Sequence, residues 1–510
     1  MSSRSLTAFA LALAIFSFTF LQAGLPAEAS AGGGIESLLR KLDDAVRKQQ
    51  WNWAAHHAKD IAVYYDNNKE YEKAAEYYEL NARYWELYGK PSWGIVNSIR
   101  ADHIRTVVEA YVAVPAKEDR RLARFEPFAG VYTGLYPAGK AEKYKPSLAE
   151  EAFGMKHAIY LTYTHWRKKY KDTDSYFPLA YAEEIKKLGG AIQIGWEPSY
   201  GLDDVLDDEY VRQFAREAKA SGIRVFLRFA GEMNGEWVPW HGDPQKYIEK
   251  FRLIHDIMEE EAPNVAMVWS PNFLPRDNIA PYYPGDKYVD WVGFSLYTIP
   301  FSQGEEKLGG NPIDYLRPLY EAYSHKPIMI SEGAVSFYSF ELEKDYTEWA
   351  VGQLGNMYGF LPRLYPQVKA ITYFNLDKST TNYDNRNNNY DLHDREEMKR
   401  EYLRLTSQPN FLSIVSNGTR PKNPVVYKPL KEAGPLKGKQ SLFVYVKLPL
   451  GQQPRAVELY AGDMLVARAD RIPWDMEVDF DQIPDGAELS VKVLDKDLKP
   501  VLRHLLDVKK

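Results

Sequence analysis

The chain has 510 residues, of which 45% are hydrophobic, and a formal net charge of −6. A chain of this length is expected to form about three domains with substantial cores. Nucleic acid is not expected as a partner, because such proteins cluster Lys and Arg and this chain is slightly acidic. The sequence contains no cysteine, which excludes disulfides and thiolate metal sites.

The N-terminus has the pattern of a signal peptide. Arg4 precedes an apolar stretch from about Leu6 to Leu21, and Ala27-Glu28-Ala29 and Ala29-Ser30-Ala31 both have the small residues of a cleavage site. The competing interpretation is an uncleaved anchor, but the stretch is short and Pro26 with a Gly-rich spacer follows it. We predict that residues 1–31 are a signal peptide and that the protein is secreted without stable membrane insertion. Association with the cell surface is an alternative location for the exported protein.

Residues 35–120 show helical spacing of small and aromatic side chains. Ala54, Ala58 and Ala62 share one face, and Ala74, Ala75 and Tyr78 share another. This pattern predicts a helical domain that resembles a tetratricopeptide-type stack, although no clean 34-residue period is found. The sequence leaves open whether the domain is a partner-binding module or a helical cap.

Residues 125–415 alternate short apolar runs with amphipathic stretches. This rhythm predicts an α/β fold of the (β/α)8 TIM barrel type, because eight cycles over such a length match that fold. An open doubly wound sheet is the alternative, but no Gly-rich phosphate loop follows the first run. The predicted strands are Gly130–Gly134, His157–Thr164, Gly190–Gly195, Ile223–Phe229, Val265–Trp269, Trp291–Tyr297, Pro327–Ser331 and Val368–Phe374.

The C-terminal part has a different pattern. Residues 416–430 are rich in Pro, Asn and Gly and are predicted to be a linker. Within 431–510, alternating runs such as Leu442–Leu448 and Leu489–Leu494 are separated by turn signals, which predicts an all-β, immunoglobulin-like sandwich. Glycan binding and simple spacing both remain open for it. Contact with protein or cell wall through the terminal domains is a further expectation.

Two carboxylates follow buried strands of the predicted barrel. Glu232 comes after the fourth run, and Glu332 ends the seventh. The functional residues of such barrels lie at the carboxyl ends of the strands, where side chains from separate strands meet. Two acids on opposite sides of a bond are what glycoside hydrolysis requires, and a separation of about 5–5.5 Å between them produces retention.

Aromatic and amide side chains accompany the two acids. Indole and phenyl faces suit the C–H faces of sugar rings, and amides suit sugar hydroxyls, although burial in the core and loop-stabilising hydrogen bonds are the alternatives. No metal site is expected, because the segment Asn382–Asp394 does not fit the calcium-loop pattern. The candidate substrate-binding residues of these two kinds are Trp196, Asn234, Trp237, Trp240, Trp269, Asn272 and Phe374.

Four motifs together resemble glycoside hydrolase family 26. They are GEMNGEWVPW at Gly231–Trp240, WSPN at Trp269–Asn272, DWVGFSLY at Asp290–Tyr297 and ISEGA at Ile330–Ala334. The family consists of retaining (β/α)8 endo-glycanases, mostly β-mannanases, and also contains mixed-linkage β-glucanases and β-1,3-xylanases. The resemblance covers most of 130–408 and neither terminal region.

Carried onto this chain, the resemblance implies a role for each acid. Glu232 would be the general acid/base and Glu332 the nucleophile, with Tyr297 donating a hydrogen bond to Glu332. Arg228 would face the cleft and favour the charged form of Glu332, with a buried ion pair as its alternative role. The resemblance implies no cofactor.

The resemblance also implies a function. We expect a secreted retaining endo-β-glycanase acting on β-mannan or glucomannan. The alternatives are a β-glucanase, a xylanase or an exopolysaccharide hydrolase of the same fold, and a non-catalytic glycan-binding scaffold. Gly231 departs from the family pattern, which commonly has His immediately before the acid/base Glu, and this departure puts mannan specificity in doubt.

Overall fold

We describe a computed structural model that covers residues 34–117, 120–167, 176–302, 304–380 and 387–509. The predicted signal peptide, 1–31, lies outside the described residues. The chain divides into two compact units. The first comprises Ala113–Glu306 and Pro312–Lys428, and the second comprises 34–112, Lys307–Asn311 and the chain from Pro429 onwards.

The first unit is built on eight parallel strands. Each strand pairs with the next along the chain, and the eighth pairs with the first, so the sheet closes into a barrel. The predicted (β/α)8 barrel is therefore confirmed. Its strands are β1 (Val131–Pro137), β2 (Ile159–His165), β3 (Ala191–Glu197), β4 (Val225–Phe229), β5 (Val265–Trp269), β6 (Trp291–Thr298), β7 (Ile328–Val335) and β8 (Val368–Asn375).

Helices follow all but one of the barrel strands. After β5 the chain makes three short 3-10 turns, where Pro275, Pro281 and Pro284 interrupt regular helix formation. Leading Asp residues cap some of the helices; the carboxylate of Asp243, for example, accepts from the Lys246 backbone N–H at 2.9 Å. The helices are Pro146–Phe153, Leu179–Leu188, Glu209–Ser221, Pro244–Glu261, Pro312–Tyr323, Thr347–Leu354 with a π-helical extension Gly355–Phe360, Leu361–Leu364 and Glu396–Thr406.

Apolar side chains fill the amino-terminal end of the barrel. Tyr132, Phe226, Trp291 and Met329 lie in one buried cluster, with no exposed surface. The indole N–H of Trp291 donates to the Arg124 carbonyl at 2.7 Å, so this polar atom is satisfied inside the cluster. The amino-terminal end is thus a packed core, which leaves the opposite end of the barrel for polar groups.

The second unit begins with helices, as predicted. They are Gly34–Arg47, Trp51–Asn67, Tyr71–Leu87 and Ile95–Ile104. The helical prediction is wrong for 107–115, because Val107–Pro115 is a strand whose first residues pair antiparallel with Lys439–Lys447. Its four valines explain the strand, since β-branched side chains favour extended backbone.

The C-terminal part of the second unit is all β. Lys439–Lys447 pairs with Asp475–Asp479, and a separate four-stranded antiparallel sheet contains Ala456–Ala461, Met464–Ala469, Glu488–Leu494 and Pro500–Lys509. The immunoglobulin-like topology stays a prediction. Among the described helices, none has the length and apolar character to cross a bilayer.

Candidate active site

The polar centre of the barrel is the guanidinium of Arg228, on β4. Its side chain is 3% exposed. The Nε atom donates to the Ser270 hydroxyl at 2.9 Å, and Nη2 donates to the Ser295 hydroxyl at 2.7 Å. These hydroxyls fix the orientation of the guanidinium. One edge then faces Glu332, with Nη1 at 2.6 Å from Oε2, and Nη2 lies 3.6 Å from Oε1 of Glu232. A single cation therefore contacts both predicted catalytic acids.

Glu332 receives hydrogen bonds from three side chains on other strands. Arg228 and Tyr163 donate to Oε2, and Tyr297 donates to Oε1. Burial raises the pKa of Glu332, but the charge of Arg228 and the two phenol hydrogen bonds outweigh burial, so that the pKa lies below its ordinary value. The carboxylate of Glu332 is therefore ionised at neutral pH and held in one orientation.

Glu232 lies on a tight loop after β4. Both Ala230 (φ 46°) and Glu232 (φ 59°) have left-handed backbone conformations, which side-chain-bearing residues seldom adopt. The loop is held in this conformation by its neighbours, because the Ala230 N–H donates to the Trp196 carbonyl at 3.0 Å and the Glu232 N–H donates to the Ser270 carbonyl at 2.8 Å. The strained turn directs the carboxylate of Glu232 towards Arg228.

Two donors hold the Glu232 carboxylate. The indole N–H of Trp237 donates to Oε2 at 2.7 Å, and the Asn272 amide donates to Oε1 at 3.1 Å. Glu232 thus has a different set of partners from Glu332, and Arg228 is the side chain they share.

Gly231, the departure from the family pattern, is explained by packing. A Cβ at this position would lie 2.7 Å from Nε and 3.0 Å from Cζ of Arg228. Distances this short require the guanidinium to move. The absence of a side chain at 231 therefore permits the position that Arg228 occupies between the two acids.

Three other predicted substrate-binding residues lie close to the two acids, and their contact with a sugar stays a prediction. Trp237 is half-buried, and Asn272 lies beside it. On the opposite side, Phe374 packs against Tyr297 edge to face, with ring centroids 6.0 Å apart.

Four other predicted substrate-binding residues are used in packing, which corrects the expectation for them. Trp196 has no exposed surface and stacks on Phe214 of the surrounding helix, with ring centroids 3.9 Å apart. Trp269 is also fully buried and packs against Tyr283. Neither indole offers a face to a ligand. Trp240 is 2% exposed and donates to the Gly231 carbonyl at 2.7 Å, so it supports the loop of Glu232.

Asn234 is the fourth predicted substrate-binding residue that is used in packing. Its amide donates to the Asn272 and Pro275 carbonyls at 2.9 and 3.1 Å, and its oxygen accepts from the Asn272 backbone N–H at 2.9 Å. All of these bonds lie within the loop region, and the side chain is fully buried. The loop-stabilising alternative therefore applies to Asn234.

The sequence analysis missed three cleft residues. Tyr163, on β2, donates to Glu332. Glu197, the last residue of β3, is a third carboxyl group; burial raises its pKa to about 7, against the opposing charge of Arg228. Lys378 follows β8, and its Nζ lies 5.4 Å from the centre of the Tyr297 ring. Tyr163 and Glu197 could have been identified from their position in the sequence, because both lie at the carboxyl ends of predicted strands.

Comparison with known proteins supports the family resemblance. The family model for glycosyl hydrolase family 26 matches residues 202–307. Endoglucanase H of Acetivibrio thermocellus is 28% identical over 268 residues, which are 49% of this chain and 28% of that protein. A mannan endo-1,4-beta-mannosidase of Bacillus subtilis is 36% identical over 98 residues, 17% of this chain and 27% of that protein. The matches thus span less than a third of these relatives.

Among solved structures, a modular endo-beta-1,4-mannanase from Cellulomonas fimi aligns over 75% of this chain and 93% of its own, with 16% identity and a TM-score of 0.41. The matched family segment begins after β3 and includes Glu232, Asn272 and Tyr297. Residues 202–307 of the barrel are thus similar in sequence to glycoside hydrolase family 26.

Proposed function

We propose that the barrel is a retaining β-glycoside hydrolase that cleaves a β-linked polysaccharide internally. The observation that carries this proposal is the contrast between two acids around one guanidinium. Glu332 has three donors and is ionised, whereas Glu232 is held on a separate loop by Trp237 and Asn272. Retaining hydrolysis requires such a division between a charged nucleophile and a proton donor.

In the proposed reaction, an oxygen of Glu332 attacks the anomeric carbon while Glu232 protonates the leaving glycosidic oxygen. The bond between sugar and leaving group breaks, and a covalent glycosyl ester forms on Glu332. Glu232, now a carboxylate, then takes a proton from water, and that water attacks the anomeric carbon and releases Glu332. Arg228 and the phenols of Tyr163 and Tyr297 stabilise the charge that Glu332 carries before attack and regains after hydrolysis.

The substrate we propose first is β-mannan or glucomannan. Two kinds of named relative support a β-linked polymer, the mannan endo-1,4-beta-mannosidase above and beta-1,3-xylanase TXYA of a Vibrio species, which is 34% identical over 80 residues, 14% of this chain and 17% of that protein. Gly231 is the reason to test β-glucans, xylans and exopolysaccharides as well. Trp237 and Phe374 are the aromatic side chains we assign to sugar contacts.

The test is a reducing-sugar assay on galactomannan, glucomannan, mixed-linkage β-glucan, β-1,3-xylan and the producing organism's own exopolysaccharide. Wild-type protein should cleave at least one polymer, and Glu232→Ala and Glu332→Ala should each remove cleavage without unfolding the chain. Glu348→Ala, a change of an exposed helical acid, is the matched control. If the wild-type protein binds a polymer but cleaves none, the proposed hydrolase function is wrong and a glycan-binding scaffold is the better description.

Retention has its own measurement. Proton NMR during hydrolysis should show the β-anomer of the product first, followed by slow mutarotation. Initial release of the α-anomer would indicate inversion and would overturn the nucleophilic role of Glu332.

We also propose that the protein is secreted, on the pattern in 1–31. N-terminal sequencing of the protein recovered from culture medium should find the mature chain beginning close to residue 32. A chain that keeps Met1 and stays with the cells would contradict export.

A further inference from the structure

We propose that Glu142, Asp391 and His393 bind a Zn²⁺ ion beside the cleft. Glu142 lies in the loop after β1, and the other two residues lie in the loop after β8. These two strands pair with each other where the barrel closes, and the last residue of β8, Asn375, lies opposite Pro137 of β1. The metal would thus join the first and last loops of the barrel.

The spacing of the ligand atoms fits a single ion. The His393 Nδ1 atom lies 3.0 Å from Glu142 Oε1 and 3.6 Å from Asp391 Oδ1. One ligand atom from each of the three residues lies within 4.8 Å of the others. Zinc bonds of about 2.0–2.2 Å, at tetrahedral or octahedral angles, place neighbouring ligand atoms about 2.8–3.6 Å apart. The two shorter separations agree with that range.

The histidine has the tautomer that a metal ligand needs. Its Nε2 atom lies 3.4 Å from the Ala152 carbonyl oxygen, which can only accept, so the proton belongs on Nε2. Nδ1, which faces the two carboxylates, is then the nitrogen that gives up its proton and presents a lone pair when a metal ion binds. A backbone carbonyl that fixes the remote nitrogen is the usual partner of a metal-bound imidazole.

The carboxylates are oriented by neutral donors. The Asn375 amide donates to Glu142 Oε2 at 3.0 Å and to Asp391 Oδ1 at 3.4 Å, and the Lys140 backbone N–H donates to Asp391 Oδ2 at 2.8 Å. Gly139 makes room for them, because a Cβ there would lie 2.3 Å from Glu142 Oε2. These contacts position both carboxylates and leave Glu142 Oε1 facing the imidazole.

The charge of this cluster favours a bound cation. The side chains of Glu142 and Asp391 are completely buried, and that of His393 is 15% exposed. Glu142 Oε1 and His393 Nδ1 are buried atoms with no hydrogen-bond partner among the described residues. Positive charge stabilises buried carboxylates, and a protonated imidazole supplies one charge, whereas a divalent ion supplies two. One imidazole and two carboxylates suit Zn²⁺ better than Ca²⁺ or Mg²⁺, which prefer oxygen ligands.

A proton is the competitor for the same place. Burial lowers the pKa of His393, but the adjacent carboxylates of Asp391 and Glu142 outweigh burial and raise the pKa to about 9. Zn²⁺ must displace that proton when it binds. The two states are distinguishable because only one of them contains a stoichiometric metal.

The ion would stabilise one wall of the cleft. Tyr390 precedes Asp391, and its ring packs 5.3 Å from the ring of Tyr297, which donates to Glu332. Lys378 of the same loop lies above both tyrosine rings. Fixing Asp391 therefore fixes the tyrosine that supports Tyr297, although the metal itself lies outside the set of residues around Glu332.

The experiment uses the full chain, dialysed against EDTA and then titrated with ZnCl₂ by isothermal calorimetry. We expect one equivalent to bind with proton release, and the melting temperature to rise by several degrees when the ion is restored. Neither readout needs a substrate, so the outcome is independent of the proposed hydrolase activity. Absence of saturable binding together with an unchanged melting temperature would overturn the site.

Variants locate the binding. His393→Gln should remove the calorimetric signal and the rise in melting temperature. His325→Gln is the matched control, because it removes another His–Asp pair of the barrel, an exposed one with Asp286 at 3.0 Å. An unchanged zinc response in His393→Gln would overturn the assignment.

If His393→Gln does not fold, the wild-type chain still decides the question. Titration of the EDTA-treated protein with CoCl₂ should give visible d–d absorption bands that one equivalent of Zn²⁺ abolishes. A spectrum that equals free Co²⁺ would overturn the site.

Discussion

Glu332 and Glu197 are two carboxyl groups of the same cleft with opposite electrostatics. Glu332 has three donors, and its pKa lies below the ordinary value although burial alone would raise it. Among the described residues, no side chain donates a hydrogen bond to the carboxyl group of Glu197, since the Ser199 hydroxyl donates to its backbone carbonyl, and burial raises the pKa of Glu197 to about 7. The charge of Arg228 favours the ionised form of both groups, but Glu332 is in direct contact with it and also accepts two phenol hydrogen bonds, whereas the charges of Glu332 and Glu232 add to the rise in the pKa of Glu197. Donors at contact distance decide which acid is charged.

This comparison separates the roles of the two acids. An ionised, immobile carboxylate can act as a nucleophile, whereas a carboxyl group that titrates near pH 7 spends part of its time as a hydrogen-bond donor. Five substitutions test the comparison, beginning with the largest expected effect.

The largest effect is expected for Glu332→Ala. Removal of the proposed nucleophile should lower kcat by about 10⁴-fold or more, because no other group can form the glycosyl ester. Steady-state kinetics on the best polymer of the panel, with circular dichroism as the check on folding, measures this loss. Added sodium azide should partly restore turnover and give an α-glycosyl azide. The prediction would be contradicted if azide increased the turnover of the wild-type protein by the same factor as that of the variant.

Gly231→Ala should have the next largest effect. The added Cβ would lie 2.7 Å from Nε of Arg228 and would push the guanidinium away from Glu332. A displacement of about 1 Å in such a site can lower kcat about 10²-fold. Gly154→Ala is a control, since nothing lies within 4 Å of its Cβ, although its positive φ adds strain of its own. Full activity in Gly231→Ala would show that Arg228 does not need its present position.

Tyr163→Phe and Tyr297→Phe should each lower kcat about tenfold, because each removes one hydrogen bond to a charged group. Loss of a donor raises the pKa of Glu332 towards its ordinary value. Activity on the acidic side is lost as Glu332 becomes protonated, so the acidic limb of kcat/KM should move to higher pH. Tyr88→Phe, a change of an exposed tyrosine in the helical region, is the control. If the acidic limb of kcat/KM does not move, the phenol hydrogen bonds do not control the ionisation of Glu332.

Glu197→Gln should have the smallest effect on turnover and a measurable effect on stability. Below the ordinary pKa of 4.5 the group is protonated in both the folded and the unfolded chain, so wild type and variant should match. Between pH 4.5 and about 7 the folded chain keeps a proton that the unfolded chain loses, and the folded wild type therefore becomes less stable as pH rises.

The variant lacks this penalty. Above pH 7 its free energy of unfolding should exceed that of wild type by about 2 kcal/mol, after allowance for the partial exposure of the side chain. Urea unfolding at pH 4 and pH 8 measures the difference, with Glu348→Gln as the exposed control. Equal free energies of unfolding at pH 8 would show that ionisation of Glu197 does not destabilise the folded chain.

Much of the fold could be predicted because buried parallel strands are local signals. All eight barrel strands coincide with apolar runs that the sequence shows directly. Regions whose pattern is ambiguous were predicted less well. The helical spacing found over 35–120 predicts a helix through Val107–Pro115, because the pairing of this strand with Lys439–Lys447 leaves no signal in the local sequence.

For the site, the limit of prediction is shown by two adjacent residues. The sequence pattern predicts Trp196 as an aromatic contact for sugar and gives no such signal for Glu197. Successive side chains of a strand point to opposite faces, so only one of the two can face the cleft. Their order in the sequence does not say which, and the structure places Trp196 against Phe214 and leaves Glu197 in the cleft.

The sequence by itself determined the barrel, the positions of Glu232 and Glu332 at strand ends, and the resemblance to family 26, because these depend on local patterns and motifs. The tertiary structure decided which side chains contact Glu332, why residue 231 has no side chain, and that Glu142 meets Asp391 and His393. These features join residues far apart in the chain. Their chemistry depends on distances of a few ångströms, which closure of the barrel sets and sequence spacing does not.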